Sequence, residues 1–125
     1  MKRKKDLRLG DLQLAILQML WELGEGTVTD VQEALATSHA YTTVATMLQK
    51  MEAKGLVSHR SEGRRFIYRA SVEADAVTDS MVGDLVDRLF GGSVEAMLTH
   101  LLESKDVSTR ELARLEKLIE TRRKR

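Results

Sequence analysis

The sequence predicts a mainly α-helical fold with one small β-hairpin, in two parts of different character. Three observations lead there. Apolar residues recur at helical spacing along most of the 125-residue chain, proline is absent, and two short β-prone runs, residues 56–60 and 65–69, flank a glycine-containing turn. The charge also divides. Residues 1–70 hold 11 Lys/Arg against 8 Asp/Glu, residues 71–121 hold 5 against 11, and the chain closes on four consecutive cations, Arg122, Arg123, Lys124 and Arg125. A basic front joined to an acidic back suggests two jobs.

The first helix is expected over residues 11–23, with Leu12, Ile16, Met19, Leu20 and Leu23 on one face, Asp11 in the first turn and Gly24 as the stop. Trp21, the only tryptophan, reads as a core or dimer-packing anchor. Glu25-Gly26 is a turn, Thr27-Val28 a candidate for a very short strand, and Thr29-Asp30-Val31-Gln32 has the form of a capping box, placing the start of a second helix at Thr29 or Asp30. That helix buries Val31, Ala34 and Leu35 and breaks at Thr37-Ser38.

A third helix runs from about Ala40 to Gly55. At 100° per residue Val44, Met47, Leu48 and Met51 form its burying face, while Thr42, Thr43, Thr46, Gln49 and Lys50 form a polar face without a carboxylate. Taken alone, such a face is more readily a solvated surface than a binding one. Behind a short helix it matches the second helix of a helix-turn-helix, whose hydroxyls, amide and cation suit phosphates and base edges. The hairpin that follows, turning at residues 61–64 with Gly63 where positive φ is easiest, completes the order of a winged helix. Arg60, Arg64 and Arg65 lie near its tip, suited to phosphates or a minor groove. The cations Lys2, Arg3, Lys4 and Lys5 at the front are either a solubilising end or a phosphate-contacting arm.

From Ser71 the period returns to helical. Val77, Met81, Val82, Leu85, Val86 and Leu89 mark a helix over about 72–90, ended by Gly91-Gly92. Ser93 caps a helix carrying Val94, Met97, Leu98, Leu101 and Leu102, and Ser108-Thr109-Arg110-Glu111 opens another with Leu112, Leu115, Leu118 and Ile119. Three such helices cannot easily cover one another's apolar faces. The expectation is therefore a winged-helix domain, 1–71, followed by a helical dimerisation domain, 72–125, with Val82, Leu85, Leu89, Leu98, Leu101, Leu112, Leu115 and Ile119 at the dimer interface. Folding back of these helices on the winged helix is the alternative.

Composition narrows the function. Aromatics are 4%, so the core is aliphatic with six Met as fillers. Without cysteine there are no disulfides, thiol catalysis or thiolate metal sites, in keeping with a reducing cytoplasm. No apolar run approaches a membrane span, and residues 12–23 are too interrupted, by Gln13, Gln18 and Glu22, to serve as a signal-peptide core. His39, His59 and His100 are scattered, Ser104 stands at the i+4 position from His100, and no catalytic motif is present. Neither an enzyme, a metal site nor a cofactor is expected.

The segments LGDLQLAILQMLWELGEGTVTDVQEAL and TTVATMLQKMEAKGLVSHRSEGRRFIYRASV resemble the penicillinase repressor (BlaI/MecI) family of winged-helix regulators. The likeness rests on Leu20-Trp21, on Thr43-Val44, Thr46 and Leu48, on Lys54-Gly55-Leu56, and on Gly63-Arg64, Phe66 and Tyr68. It implies a homodimeric repressor on inverted-repeat operators, often with ACA/TGT cores, contacting bases and phosphates through Thr42, Thr43, Thr46 and Lys50. Ala45 stands where relatives often carry a long basic residue. The resemblance further implies release by cleavage at an Asn-Phe bond or by a cysteine cluster. Here the aligned pair is His100-Leu101 and cysteine is absent, so the inducing signal, protease or ligand, is left unnamed. A winged-helix module for protein–protein assembly, its basic face incidental, is the second reading. A regulator holding a small molecule between the C-terminal helices is a weaker third.

Overall fold

The computed structural model describes residues 9–125. Its elements in order are α1 (Asp11–Leu23), α2 (Val28–Ala34), α3 (Tyr41–Ala53), β1 (Val57–Glu62), β2 (Arg65–Ala70), α4 (Ala74–Phe90), α5 (Val94–Ser104) and α6 (Thr109–Arg123). The chain forms two compact units, one ending at Val82 and one spanning Gly83–Arg125, so the start of α4 belongs to the first.

The first unit is built on α1 and α3. Ile16, Leu17 and Leu20 of α1 and Val44, Leu48 and Met51 of α3 are almost wholly buried, and Val28, Val31, Leu56, Val57, Tyr68 and Val77 complete the core. Met47 is half-buried at its edge. Each helix end is fixed by a local device. Gly55 takes φ 78° just past α3. Its N–H donates to the Glu52 carbonyl at 3.0 Å, and the next N–H, of Leu56, reaches back to the Met51 carbonyl at 2.9 Å. This pair of bonds satisfies the last carbonyls and sends the buried Leu56 back beside Met51.

The second helix begins earlier than the sequence pattern suggests. Thr27, not Thr29, is its N-cap: Thr27 Oγ1 accepts from Asp30 N–H at 3.1 Å, while the Asp30 carboxylate accepts from Thr27 N–H at 2.9 Å. A short carboxylate at the third helical position thus plays the part assigned to Gln32. Gln32 instead donates to the His39 carbonyl at 2.9 Å, pinning the turn between α2 and α3. The expected strand at Thr27-Val28 does not form, because Val28 is already helical. Pairing is confined to Gly26, whose N–H and C=O both bond Tyr68 of β2, at 2.9 and 2.8 Å. Gly26 is buried, and a Cβ there would come within 3.1 Å of Asp30 Cβ.

The hairpin pairs Val57 with Ala70 through Glu62 with Arg65, leaving Gly63 (φ 63°) and Arg64 as a two-residue turn. His59, Phe66 and Tyr68 share one face: His59 stacks on Phe66 with ring centres 4.2 Å apart and tilts against Tyr68 at 5.4 Å. The fourth helix starts at Ala74 rather than Val72, since the Val72 carbonyl accepts the Trp21 indole N–H at 3.0 Å.

The second unit holds the rest of α4 with α5 and α6. Ser93 and Ser108 cap α5 and α6 through their hydroxyls, at 3.0 and 3.1 Å. Neither helix buries a residue. Phe90 and His100 bring their rings to 5.8 Å.

Candidate nucleic-acid interface

The polar face read from the sequence is on the surface. Thr42, Thr43, Thr46, Gln49 and Lys50 are all exposed along α3, opposite Val44, Leu48 and Met51. No acidic residue lies in the first turn of this helix. Its N-cap, Ala40, offers no side-chain acceptor, so the first N–H groups of α3 stay open to an incoming anion. That feature was legible only as the lack of Ser, Thr, Asp or Asn at residue 40. The one carboxylate of α3, Glu52, is tied to His59 Nδ1 at 2.7 Å.

The three wing arginines are not equivalent. Arg60 makes two bonds to Glu25, both 3.1 Å, and a third to Glu62 at 3.2 Å. It therefore joins β1 to the turn after α1. Arg65 reaches Glu62 at 3.3 Å. Arg64, in the turn itself, has no carboxylate partner among the described residues. These pairs are half-exposed, where ion pairs contribute little and yield readily to a phosphate. Sequence places Glu25 and Glu62 only in turns; that they pair with the wing arginines depends on the fold.

Two groups have shifted titration. The hydrogen bonds from the Thr27 backbone and side chain, helped by Arg65, hold the Asp30 carboxyl below its ordinary value. Burial, with the Glu52 charge and Tyr41 adding to it, pushes the Tyr68 phenol up. Both effects belong to architecture: one fixes the start of α2, the other reflects the packing of β2 on the core.

The residues expected at an interface between copies are spread along three helices. Val82, Leu85, Leu89, Leu101, Leu112 and Ile119 are exposed, Leu89 by 71% of its surface, while Leu98 and Leu115 are half-buried. Lys2, Arg3, Lys4 and Lys5 lie outside the described residues. Among the described residues no helix is long and apolar enough to cross a membrane, and no three His, Asp or Glu side chains form a metal cage.

A helix-turn-helix backed by a two-stranded wing, with the second helix of the pair exposed along its polar side, is a winged-helix protein of the kind that binds DNA. The chain belongs to the penicillinase repressor family, whose model matches residues 9–121. It is 38% identical over 118 residues to the transcriptional regulator BlaI of Mycobacterium tuberculosis, covering 87% of this chain and 86% of that one. It is 23% identical over 124 residues to the penicillinase repressor of Bacillus licheniformis, covering 98% and 97%. Among solved structures, the DNA-binding domain of the repressor BlaI superposes with a TM-score of 0.51 at 25% identity, over 59% of this chain and 93% of that one. The family and these relatives are regulators of transcription rather than enzymes.

Proposed function

We propose that this chain is a homodimeric transcriptional repressor of the cytoplasm that binds inverted-repeat operator DNA and is released by a signal still to be identified. The observation that carries it is the exposed, acid-free face of α3, joined to α2 by a turn that the Gln32–His39 bond spans and followed by the wing. In this reading α3 enters the major groove, with Thr42, Thr43 and Thr46 at base edges and phosphates and Lys50 on a phosphate. Arg64 and Arg65 track the backbone beside it, and Arg60 contributes after exchanging a carboxylate for a phosphate. The likeness to the DNA-binding domain of the repressor BlaI supports the assignment to DNA. The apolar residues left in water on α4, α5 and α6 support the dimer, which would present two copies of α3 to two half-sites.

The test is selection of bound fragments from the source genome, followed by anisotropy titrations on the recovered sequence over a range of salt. The expected result is sequence-specific binding that weakens steeply with salt. Lys50→Ala lowers the salt slope by about 1 and Thr46→Ala relaxes base preference. Unchanged DNA binding in the double variant would sink this assignment and favour a module for protein assembly.

A further inference from the structure

Between α3 and the hairpin lies a partly enclosed cleft of about 570 Å³. One wall is α3, through Tyr41, Ala45 and Gln49, which stack at successive i+4 positions. The other is the wing, through Arg64, Arg65, Phe66 and Tyr68, and the start of α2 supplies Thr27, Val28, Thr29 and Asp30. Ala45 sits half-buried between Tyr41 and Gln49 and contributes only a methyl to the α3 wall, so a long side chain there would intrude into the cleft.

The lining has a definite chemistry. Tyr41 is 52% and Phe66 47% exposed, so two aromatic rings border the space, while the first face of Phe66 is occupied by His59. Asp30 already serves as acceptor for Thr27 N–H, and Arg65 already pairs with Glu62. Arg64 is the cation without a carboxylate partner among the described residues. Aromatic walls with one available guanidinium suit a planar ring bearing one carboxylate, which Arg grips through two parallel bonds.

We propose that this cleft binds a small aromatic carboxylate, its ring between Tyr41 and Phe66 and its carboxylate on Arg64. A molecule seated there lies between the two elements assigned to DNA, so its binding opposes operator binding. That consequence, but not the site, rests on the function proposed above.

The test uses the full chain free of DNA and 1-naphthoate as probe, read by chemical shifts of backbone amides. The expected result is saturable binding with shifts at Ala45, Gln49, Arg64 and Phe66. Ala45→Met, a good helix former that projects into the space between Tyr41 and Gln49, weakens binding by at least about tenfold. Arg64→Gln, at an exposed turn, weakens naphthoate but leaves neutral 1-naphthalenemethanol unchanged. The proposal is overturned by shifts that do not saturate, by shifts centred on α5 or α6, or by equal displacement with inorganic phosphate, which marks an anion contact with no role for the rings. Operator release is then measured by anisotropy. Naphthoate that binds the free protein but leaves the complex intact removes the antagonism and keeps the site. A chain that binds naphthoate but no DNA removes the repressor reading and keeps the site.

Discussion

Glu52, near the end of α3, and His59, in β1, meet at 2.7 Å, and both carboxylate oxygens lie within 2.8 Å of the same ring nitrogen. This is a side-chain tie between the helix assigned to the major groove and the wing. The opposite part of the His59 environment is the Phe66 ring, so one imidazole holds both a hydrogen bond and a stack. His59→Ala is expected to cost about 1–2 kcal/mol, read from urea midpoints, and to loosen the hairpin in amide exchange. Operator affinity falls with it. A hairpin that exchanges no faster in the variant would show that the tie does not set the wing.

The start of α2 carries a pH dependence. The Asp30 carboxyl sits below its ordinary value of 3.8 in the folded chain. Its contribution is therefore present above the unfolded value and is lost as pH falls through the folded one. Asp30→Asn is expected to be less stable than the parent at neutral pH, with the difference closing as both are taken below about pH 3.8. Thr27→Ala removes the other half of the cap and is expected to cost about 1 kcal/mol. Thermal melts across pH check both, and a difference that stays constant into acid would assign the effect to packing instead.

Leu48 is fully buried between α3 and the rest of the core. Leu48→Ala is expected to destabilise the first unit by about 2–5 kcal/mol, a large part of the total for a small domain. Met47→Ala, half-buried one residue away, should cost distinctly less. Equal costs at the two positions, measured by denaturant unfolding, would contradict the assignment of the α3 faces.

The proposed dimer makes its own demand. Leu115→Asp combined with Ile119→Asp places two charges on the apolar side of α6, where Leu115 is half-buried and Ile119 48% exposed. Sedimentation is expected to show monomers, and operator affinity to drop because each half-site supplies only part of the contact. A dimer that persists in this variant would place the interface elsewhere.

Much of the fold was legible because its signals are local and periodic. The face of α3 follows from spacing alone; in α1 spacing finds Ile16 and Leu20 but misses the buried Leu17 and includes Leu23, which is 48% exposed at the helix end. Gly24, Gly55 and Gly63 mark ends and turns where the structure adopts positive φ. The start of α2 was misplaced because two overlapping segments fit a capping box. The choice between them depends on Gly26 pairing with Tyr68, 42 residues on, which holds Thr27 outside the helix. The periodic residues from Val77 onward leave the exact start of α4 open, and the structure begins it at Ala74 because the Val72 carbonyl is taken by Trp21, a partner 51 residues away. The candidate site divides the same way. Helical period exposes Thr42, Thr43, Thr46 and Lys50, but the distinction between Arg60, tied to Glu25, and Arg64, without a carboxylate partner among the described residues, requires knowing where Glu25 comes to lie.

The Gly26–Tyr68 bridge has a mechanical reading. Both of its hydrogen bonds lie midway along β2, where Tyr68 pairs with His59, five residues from Gly63, and the chain on the Gly26 side runs at once into the capped start of α2. The wing is thus a cantilever, clamped at mid-length by Gly26, tied one pair further out by Arg60 to Glu25, and, among the described residues, without a carboxylate tie at Arg64. A load at the tip bends the hairpin beyond these ties, while a load at Tyr68 is transmitted directly to the first turn of α2. The amides of Gly26 and Tyr68 should consequently exchange with solvent in one opening event, shared between two elements far apart in the chain.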